Sequence, residues 1–392
     1  MRVMMKVIFL SRFNGYNKDL SVYKPGENGF FQFGMGQFIA QEFYARNYPV
    51  RFENWRTDIR INKVVEKDID GMKCRIFPSK KIPRFGEYST QLVKALKTET
   101  GNDETLFHFI PNHPLNYHYY STFIKRNRII STHIGGANPY WLYNNLKGIK
   151  KWSSYIYYLL EKYIFLKNYD HFISPCESEV NYYRMLNKPV SSLPMFGIPR
   201  EKNFYIKDRL ESRKKLGLPL NRKILLQVGR AVEARGFDWI MELIDYFHGR
   251  NEYFLVFVGI NKSDKYYSDL LKKGVYMTPY LYHEDLVNYY NAADLLYYLP
   301  HGNMDLNFAG TSYVPLEAMA CGTPVVATTF HHFPGNQVSE VSMVPKKKGD
   351  VIPMIEDLLS LNVSRELCRK IVLDNFSWDV LIDQYWHIYN MT

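Results

Sequence analysis

Two arginines and a glycine stand close together in "LLQVGRAVEARGFDWIMEL", residues 225–243. Gly229 ends an apolar run typical of a buried strand, Arg230 follows it, and Arg235 directly precedes an amphipathic, helix-like pattern. Glycine lets a ligand approach the backbone, a helix N-terminus offers N–H groups, and two guanidiniums can clamp a diphosphate. Such a turn suits a phosphate. For this segment alone, however, we favour a plain strand-to-helix turn with solvated arginines.

A single acid, Glu317, lies among small and apolar residues in "YVPLEAMACGTPVVATT", residues 313–329. The pattern predicts that Glu317 is at the start of a helix packed on a sheet, where a carboxylate needs hydrogen-bond donors. Two further β/α units separate it from Arg235, so a parallel sheet can return the chain to the same edge. Glu317 could accept both ribose hydroxyls of a nucleotide whose phosphates Arg230 and Arg235 hold. The sequence therefore predicts a sugar-nucleotide site.

Apolar runs alternate with amphipathic stretches from about residue 220 onward, and less regularly before it. Apolar runs without internal alternation indicate strands buried on both faces of a parallel sheet, with ligand loops at the carboxyl ends of the strands. A chain of 392 residues suits two α/β domains with a cleft between them. We expect an N-terminal domain over residues 1–205, joined by a closing helix at 376–392, and a C-terminal domain over residues 206–375.

Composition restricts the partners and the compartment. The formal net charge of +11 favours an anionic partner, which could be a nucleotide diphosphate, an anionic lipid head group or nucleic acid. The four cysteines are far apart and lack metal-site or disulfide spacing, which favours a reduced, cytoplasmic protein. The N-terminus has no signal-peptide pattern and no segment reaches membrane-spanning length, so we expect a soluble or peripheral protein.

The pair "GRAVEARG" and "PLEAMACGTPVVA" resembles the signature of family-four retaining glycosyltransferases with the GT-B fold. The resemblance covers nearly the whole chain and also rests on "IISTHIGG", "DHFISPCESEV", "GIPREKNF" and "NFSWDVLIDQYWHIY". It implies two Rossmann-like, doubly wound parallel-sheet domains that face each other across a cleft. It also implies a nucleotide-diphosphate sugar held mainly by the C-terminal domain, and an acceptor that approaches from the N-terminal one.

The resemblance assigns a role to each matching residue. Arg230 and Arg235 match the diphosphate pair, with Arg235 where the family usually has lysine. Glu317 matches the ribose-binding acid, and His133 matches the histidine that reaches the transferred sugar. The glycine-rich loop beneath the phosphates is matched loosely by Gly34 and Gly36.

The sequence departs from the family at Ala309, where the family has the first of two glutamates, close to the donor sugar. Asp305 could supply the missing acid if its loop folds back. Alternatively, water and backbone N–H groups hold the sugar, and we favour this second account. The residues that would then contribute these groups are Gly310, Thr311 and Ser312.

Three other groups of polar residues have plainer interpretations. Without the resemblance, His133 reads first as a strand-end histidine bonded to backbone. Asp68 and Asp70 imitate a metal-binding acid pair, but Asp-Gly between strand-like stretches predicts a hairpin turn. Three further histidines have no metal-site spacing, which favours packing or acceptor contact; they are His108, His113 and His118. We therefore assign no metal and no cofactor.

Residues 144–169 combine several lysines with Trp152 and many tyrosines, a composition suited to an anionic membrane surface. A domain helix with aromatic packing is the equal alternative, because apolar residues surround the predicted helix instead of forming one narrow face. A lipid-linked acceptor would fit the first interpretation.

The expected function is metal-independent transfer of a sugar from a nucleotide-diphosphate sugar to a hydroxyl of a glycan or lipid-linked glycan, with retention. Three rivals remain open. They are a DNA-modifying glucosyltransferase of GT-B architecture, a non-catalytic sugar-nucleotide-binding protein, and a sugar-nucleotide epimerase. No base-reading motif supports nucleic acid as the acceptor.

Overall fold

The computed structural model describes residues 4–11, 35–83, 86–102, 104–110, 114–133, 138–194, 197–199, 204–281, 283–300, 313–328 and 340–391. The chain forms two compact units. The first comprises Met1–Phe196 and Ile382–Thr392, and the second comprises Gly197–Leu381. No helix in the described part of the chain is both long and apolar enough to cross a membrane.

The first unit is built on a sheet with the strand order β10-β9-β8-β7-β1-β2-β4-β3. All its neighbours pair in parallel except β3 and β4. Its strands are β1 (Met5–Ser11), β2 (Val50–Asp58), β3 (Val65–Ile69), β4 (Met72–Pro78), β7 (Thr105–Ile110), β8 (Ile129–Thr132), β9 (His171–Ser174) and β10 (Val190–Ser192). A separate antiparallel pair consists of β5 (Lys80–Ile82) and β6 (Gly86–Tyr88). The helices are α1 (Met35–Ala45), α2 (Thr90–Glu99), α3 (Pro114–Ser121), α4 (Pro139–Asn145), α5 (Gly148–Tyr163) and α6 (Glu177–Met185).

The second unit is built on an entirely parallel sheet with the order β13-β12-β11-β14-β15-β16. Its strands are β11 (Lys223–Val228), β12 (Tyr253–Val258), β13 (Tyr276–Thr278), β14 (Leu295–Tyr298), β15 (Val325–Ala327) and β16 (Ser342–Met343). Its helices are α7 (Arg209–Leu216), α8 (Phe237–Phe247), α9 (Tyr267–Lys272), α10 (His283–Ala292), α11 (Tyr313–Ala320), α12 (Val351–Ser360) and α13 (Arg365–Phe376). The closing helix α14 (Trp378–Asn390) begins in this unit and ends in the first.

Strand β11 shows why the apolar runs lack alternation. Leu226 and Val228 join the core on one face of the sheet, with residues of α10, α11 and α13. Leu225 joins the core on the other face, with residues of α8 and α12. Successive side chains point to opposite faces and both faces are covered, so the strand is mainly apolar, with Gln227 as a buried polar exception. The prediction of Rossmann-like α/β units with parallel sheets is confirmed.

The order of the second sheet also locates its ligand edge. The chain runs from β11 outward through β12 and β13 on one side, and β14, β15 and β16 lie on the other. Strands β11 and β14 are therefore the neighbours at which the winding direction reverses. In open parallel sheets, ligands bind at the carboxyl ends of the strands beside this reversal.

Three local features can be compared with the sequence predictions. The hairpin at Asp70 is confirmed, because Ile69 pairs with Met72 and both turn residues have positive φ. The single helix predicted over residues 144–169 was wrong. Helix α4 ends at Asn145, and α5 begins at Gly148, whose φ is +62°. The break follows from the extended backbone of Leu146 and from the left-handed glycine.

Candidate functional site

The carboxyl end of β11 is bordered by two glycines. The N–H of Gly229 donates to the carbonyl of Val258, 2.8 Å away, and Gly229 has a φ of +126°. A Cβ at Gly259, which follows β12 and has a φ of +90°, would lie 3.5 Å from the Cα of Gly229. Glycine suits both positions because of these positive φ angles. Here a ligand could approach the backbone of two neighbouring strands directly.

Arg230 is held in place by a buried acid, Asp264. Its Nε and Nη2 atoms each lie 2.9 Å from Oδ1 of Asp264. The side chain of Asp264 is fully buried, whereas that of Arg230 is 59% exposed. The second carboxylate oxygen, Oδ2, accepts the N–H groups of Ala231 and Asn261, each at 3.0 Å. Asp264 therefore ties the turn after β11 to the turn after β12 and presents one cation to solvent.

Arg235 reaches the neighbouring strand across the point where the winding reverses. Its Nη1 donates to the hydroxyl of Tyr298, the last residue of β14, and its guanidinium lies 5.5 Å from the centre of that ring. Desolvation and then the positive charge of Arg230 lower the pKa of Arg235. A lowered pKa means that the positive charge is disfavoured in the unliganded chain, and an anion at this position would relieve that effect.

The turn that carries Arg235 is fitted closely to the end of β14. Gly236 has a φ of +76° and precedes α8, and a Cβ at this position would overlap the carbonyl oxygen of Leu299. Its own carbonyl accepts the N–H groups of Trp239 and Ile240, each at 3.0 Å. The start of α8 is thereby placed beside both arginines, and its dipole adds positive potential there.

Glu317 is 8% exposed and lies in the second half of α11, so the prediction that it begins the helix was wrong. The helix starts at Tyr313 because the apolar stretch before Glu317 is itself helical. Tyr290 of α10 donates its hydroxyl proton to Oε2 of Glu317 at 2.7 Å. Burial and then the charge of Glu317 raise the pKa of Tyr290, so the phenol stays protonated and continues to donate.

His133 directly follows β8 in the first unit. Its backbone N–H donates to the carbonyl of Ile173 at 2.8 Å, and a ring nitrogen lies 3.0 Å from the hydroxyl of Tyr183. Burial lowers the pKa of His133 to about 3, with a smaller contribution from His118. The imidazole is therefore neutral at physiological pH, and it can exchange hydrogen bonds without carrying charge.

Of the glycine pair, the structure describes only Gly36. It lies in the first turn of α1, and a Cβ there would come within 2.8 Å of the Phe9 ring. Close packing of α1 on β1 accounts for glycine at this position. Several candidate residues lie outside the described part of the chain, namely Gly34, Asp305, Ala309, Gly310, Thr311 and Ser312.

In the described ranges, no group of three or more histidine, cysteine or acidic residues could hold a metal ion. His108 is fully buried, and its ring nitrogens lie 2.6 Å from Oγ1 of Thr132 and 2.9 Å from the hydroxyl of Tyr389. This histidine is a packed, hydrogen-bonded residue of the first unit. All four cysteines are buried and free.

Sequence reasoning missed the residues that orient the candidate site, which are Asp264, Tyr290 and Tyr298. Each is separated from its partner by 27 to 63 positions. Only the position of Asp264, just after a predicted buried strand, could have drawn attention to it. The two tyrosines belong to apolar stretches and carry no local signal.

Comparisons with known proteins agree with this geometry. Residues 208–371 match the family model described as Glycosyl transferases group 1. An uncharacterized glycosyltransferase of Methanocaldococcus jannaschii is 23% identical over 205 residues. That match covers 48% of this chain and half of the relative's length.

Two solved structures resemble the chain over almost its full length. The Anabaena protein HepE, in complex with UDP-glucose, shares 14% identity with a TM-score of 0.62, over 98% of this chain and 99% of that one. WaaG, a glycosyltransferase involved in lipopolysaccharide biosynthesis, shares 16% identity with a TM-score of 0.65, over 99% of this chain and 100% of that one. At these identities the likeness concerns the fold, and it confirms the predicted GT-B class.

Proposed function

Because residues 208–371 are a glycosyl transferases group 1 domain, we propose that the chain transfers a sugar from a nucleotide-diphosphate sugar to an acceptor hydroxyl with retention of configuration. Arg230, Arg235 and Glu317 all lie within the matched segment. The acceptor we propose is a glycan or a lipid-linked glycan.

One observation carries the proposal. Two guanidiniums, those of Arg230 and Arg235, stand at the carboxyl end of β11, beside Gly229 and the start of α8. This is the edge at which the winding of the sheet reverses. Paired cations, a helix N-terminus and an open glycine backbone at such an edge suit a diphosphate. That HepE was solved with UDP-glucose supports a nucleotide-diphosphate donor here.

The proposed reaction assigns no nucleophile to the protein. As the bond between the sugar and the diphosphate breaks, negative charge develops on the leaving group. The two guanidiniums and the N–H groups at the start of α8 stabilise that charge in the transition state more than in the ground state. Since these groups supply the positive charge, the proposed reaction requires no divalent cation. Excess chelator should therefore leave turnover unchanged, whereas activity restored only by magnesium or manganese would contradict this part of the proposal.

Glu317 completes the proposed donor site within the second unit. The carboxylate of Glu317 has acceptor capacity for ribose hydroxyls in addition to the Tyr290 hydroxyl, because a carboxylate offers about four lone-pair sites. For His133 of the first unit, a contact with the transferred sugar stays a prediction from the resemblance. In the same proposal, backbone N–H groups of Gly310, Thr311 and Ser312 hold the donor sugar. The carboxylate of Asp305 is the alternative.

We also propose that α5 places the chain on the inner face of an anionic membrane, where a lipid-linked acceptor is found. Ile149, Trp152 and Ile156 are 89%, 59% and 57% exposed, and their spacing puts them on one face of α5. The opposite face is anchored by buried Glu161, which accepts the hydroxyl of Tyr182 at 2.6 Å. Exposed lysines on the same helix, such as Lys150, complement anionic head groups.

A thermal-shift screen of nucleotide sugars tests the donor assignment. A ligand at about one hundred times its dissociation constant should stabilise the chain by about 2.7 kcal/mol. The screen should compare uridine, guanosine, adenosine, cytidine and thymidine diphosphate sugars with the matching monophosphates. We expect one diphosphate sugar to raise the melting temperature and its monophosphate to have a much smaller effect. A shift with no diphosphate compound would contradict the proposed function.

A further inference from the structure

Both oxygens of the buried Asp264 carboxylate have hydrogen-bond donors. The side chain is 0% exposed. Oδ2 accepts two hydrogen bonds, and Oδ1 accepts one from Nε of Arg230 and lies 2.9 Å from Nη2 of the same guanidinium. Isolated burial of a charge is strongly unfavourable, so a buried carboxylate is kept only where donors surround it. Here two donors are backbone N–H groups, and the third is Nε of the Arg230 guanidinium.

The contacts fix one edge of the Arg230 guanidinium and leave the other edge available. Nε and Nη2 face Asp264, and no residue in the described part of the chain forms a hydrogen bond or ion pair with Nη1. A planar guanidinium held by one edge has a defined plane and a defined outward direction. The same carboxylate fixes the backbone at Ala231, next to Arg230, so the base of the side chain is also held.

We infer that Asp264 is a positioning residue for Arg230, which orients the guanidinium toward the leaving diphosphate before the donor arrives. This inference rests on the proposed function. A preoriented cation stabilises developing charge without reorganising during the reaction, so its orientation matters most in the transition state. Asp264 therefore favours turnover and not ground-state binding.

A double-mutant cycle tests whether Asp264 acts through Arg230. The variants are Asp264→Asn, Arg230→Ala and the two combined. Release of nucleoside diphosphate is measured by donor hydrolysis, with water as the acceptor of the sugar. UDP-glucose is the first probe, followed by the sugar nucleotide that gives the largest thermal shift. We expect Asp264→Asn to lower kcat by about tenfold, with a change in KM of less than about threefold. In the Arg230→Ala background it should change kcat by less than about twofold.

The matched control is Asp294→Asn. Asp294 is also a buried acid of the second unit, with Arg209, Arg213 and the N–H of Ile224 as partners at 3.0, 2.5 and 2.7 Å. It immediately precedes β14, at the amino end of the sheet and away from Arg230. Asp294→Asn should lower the melting temperature. Its kcat should equal that of the wild type at a temperature where both proteins are folded.

The outcomes separate this inference from the proposed function. If Arg230→Ala impairs turnover but Asp264→Asn is silent, or lowers kcat equally in both backgrounds, only the positioning role is overturned. If Arg230→Ala itself leaves turnover unchanged, the diphosphate assignment fails. The Nε–H resonance of Arg230 in ¹⁵N spectra of the full chain provides a readout without substrate. It should shift in Asp264→Asn and stay in place in Asp294→Asn, and an unchanged resonance in Asp264→Asn would overturn the inference.

Discussion

The hydroxyl of Tyr290 donates a 2.7 Å hydrogen bond to the carboxylate of Glu317, so the acid of α11 is tied to α10 by a buried phenol. The fully buried phenol ring joins the core that these two helices share. This contact helps to satisfy the buried carboxylate and fixes its orientation relative to α10.

Glu317→Gln should weaken donors with an intact ribose more than analogues that lack the ribose hydroxyls. An amide oxygen is a weaker acceptor than a carboxylate, and the amide nitrogen cannot accept at all. Calorimetric titration with both ligands gives the two losses. Tyr290→Phe is the control for packing, because it removes the phenol donor and leaves the acid in place. Equal losses for both ligands in Glu317→Gln would show that Glu317 serves only the contact with Tyr290.

Gly236→Ala should destabilise the second unit far more than Gly249→Ala. Both glycines have positive φ, but only at Gly236 would a Cβ overlap a neighbour, the carbonyl oxygen of Leu299. Strain alone costs about 1 to 2 kcal/mol, which is the expectation for Gly249→Ala. Displacement of the backbone at Gly236 adds to that strain. Urea denaturation of the two variants measures both values, and similar losses would contradict the close fit described for this turn.

The sequence predicted the fold well because buried strands and amphipathic helices leave a local pattern. Strands such as β11 are mainly apolar since both faces are covered, and turns such as Asp70-Gly71 are specified by two residues. Arg230 was singled out because it adjoins a strand end, and Glu317 because it is the single acid of an apolar stretch. The pairing of Asp264 with Arg230 and that of Tyr290 with Glu317 could not be predicted, because they join distant segments that meet only in the folded chain. The break before α5 was missed because the backbone of Leu146, and not its residue type, ends α4.

His133 should make stability fall as the pH is lowered. Burial holds its folded pKa at about 3, below the ordinary value of 6.5, so the unfolded chain binds the extra proton between these values. The stability associated with neutral His133 is fully present above pH 6.5. It is lost progressively as the pH falls toward 3, so the free energy of unfolding decreases over this range. His133→Gln should remove up to about 1.4 kcal/mol of this dependence per pH unit. Other buried histidines are the same in both proteins and cancel in the comparison. Parallel stability curves for wild type and variant between pH 6.5 and 5 would contradict the assignment.

Binding of the chain to vesicles should depend on the exposed face of α5. We expect binding to rise with the fraction of anionic lipid and to fall with added salt. The double change Ile149→Ser and Trp152→Ser should reduce binding by about tenfold or more, because two large apolar side chains can no longer enter the interface. Leu361→Ser is the matched control, since Leu361 is 56% exposed and lies in the other unit. If binding does not depend on lipid charge and is unchanged by the two substitutions in α5, this helix has no membrane role.

Arg230 and Arg235 are the residues proposed to stabilise the leaving diphosphate, and the turnover of their alanine variants tests this role. Arg230→Ala and Arg235→Ala should each lower kcat/KM by about tenfold or more, the loss expected when a charge-assisted bond to the leaving group is removed. Arg235→Ala should retain the melting temperature of the wild type within a few degrees. Arg230→Ala removes the cation beside the buried Asp264 carboxylate and should melt lower, so both variants are assayed at a temperature where they are folded. The control is Arg250→Ala, because Arg250 is also exposed but precedes β12 at the opposite edge of the sheet. A folded pair of variants with wild-type kcat/KM would contradict the account, whereas a loss in both, with Arg250→Ala unaffected, is the predicted result.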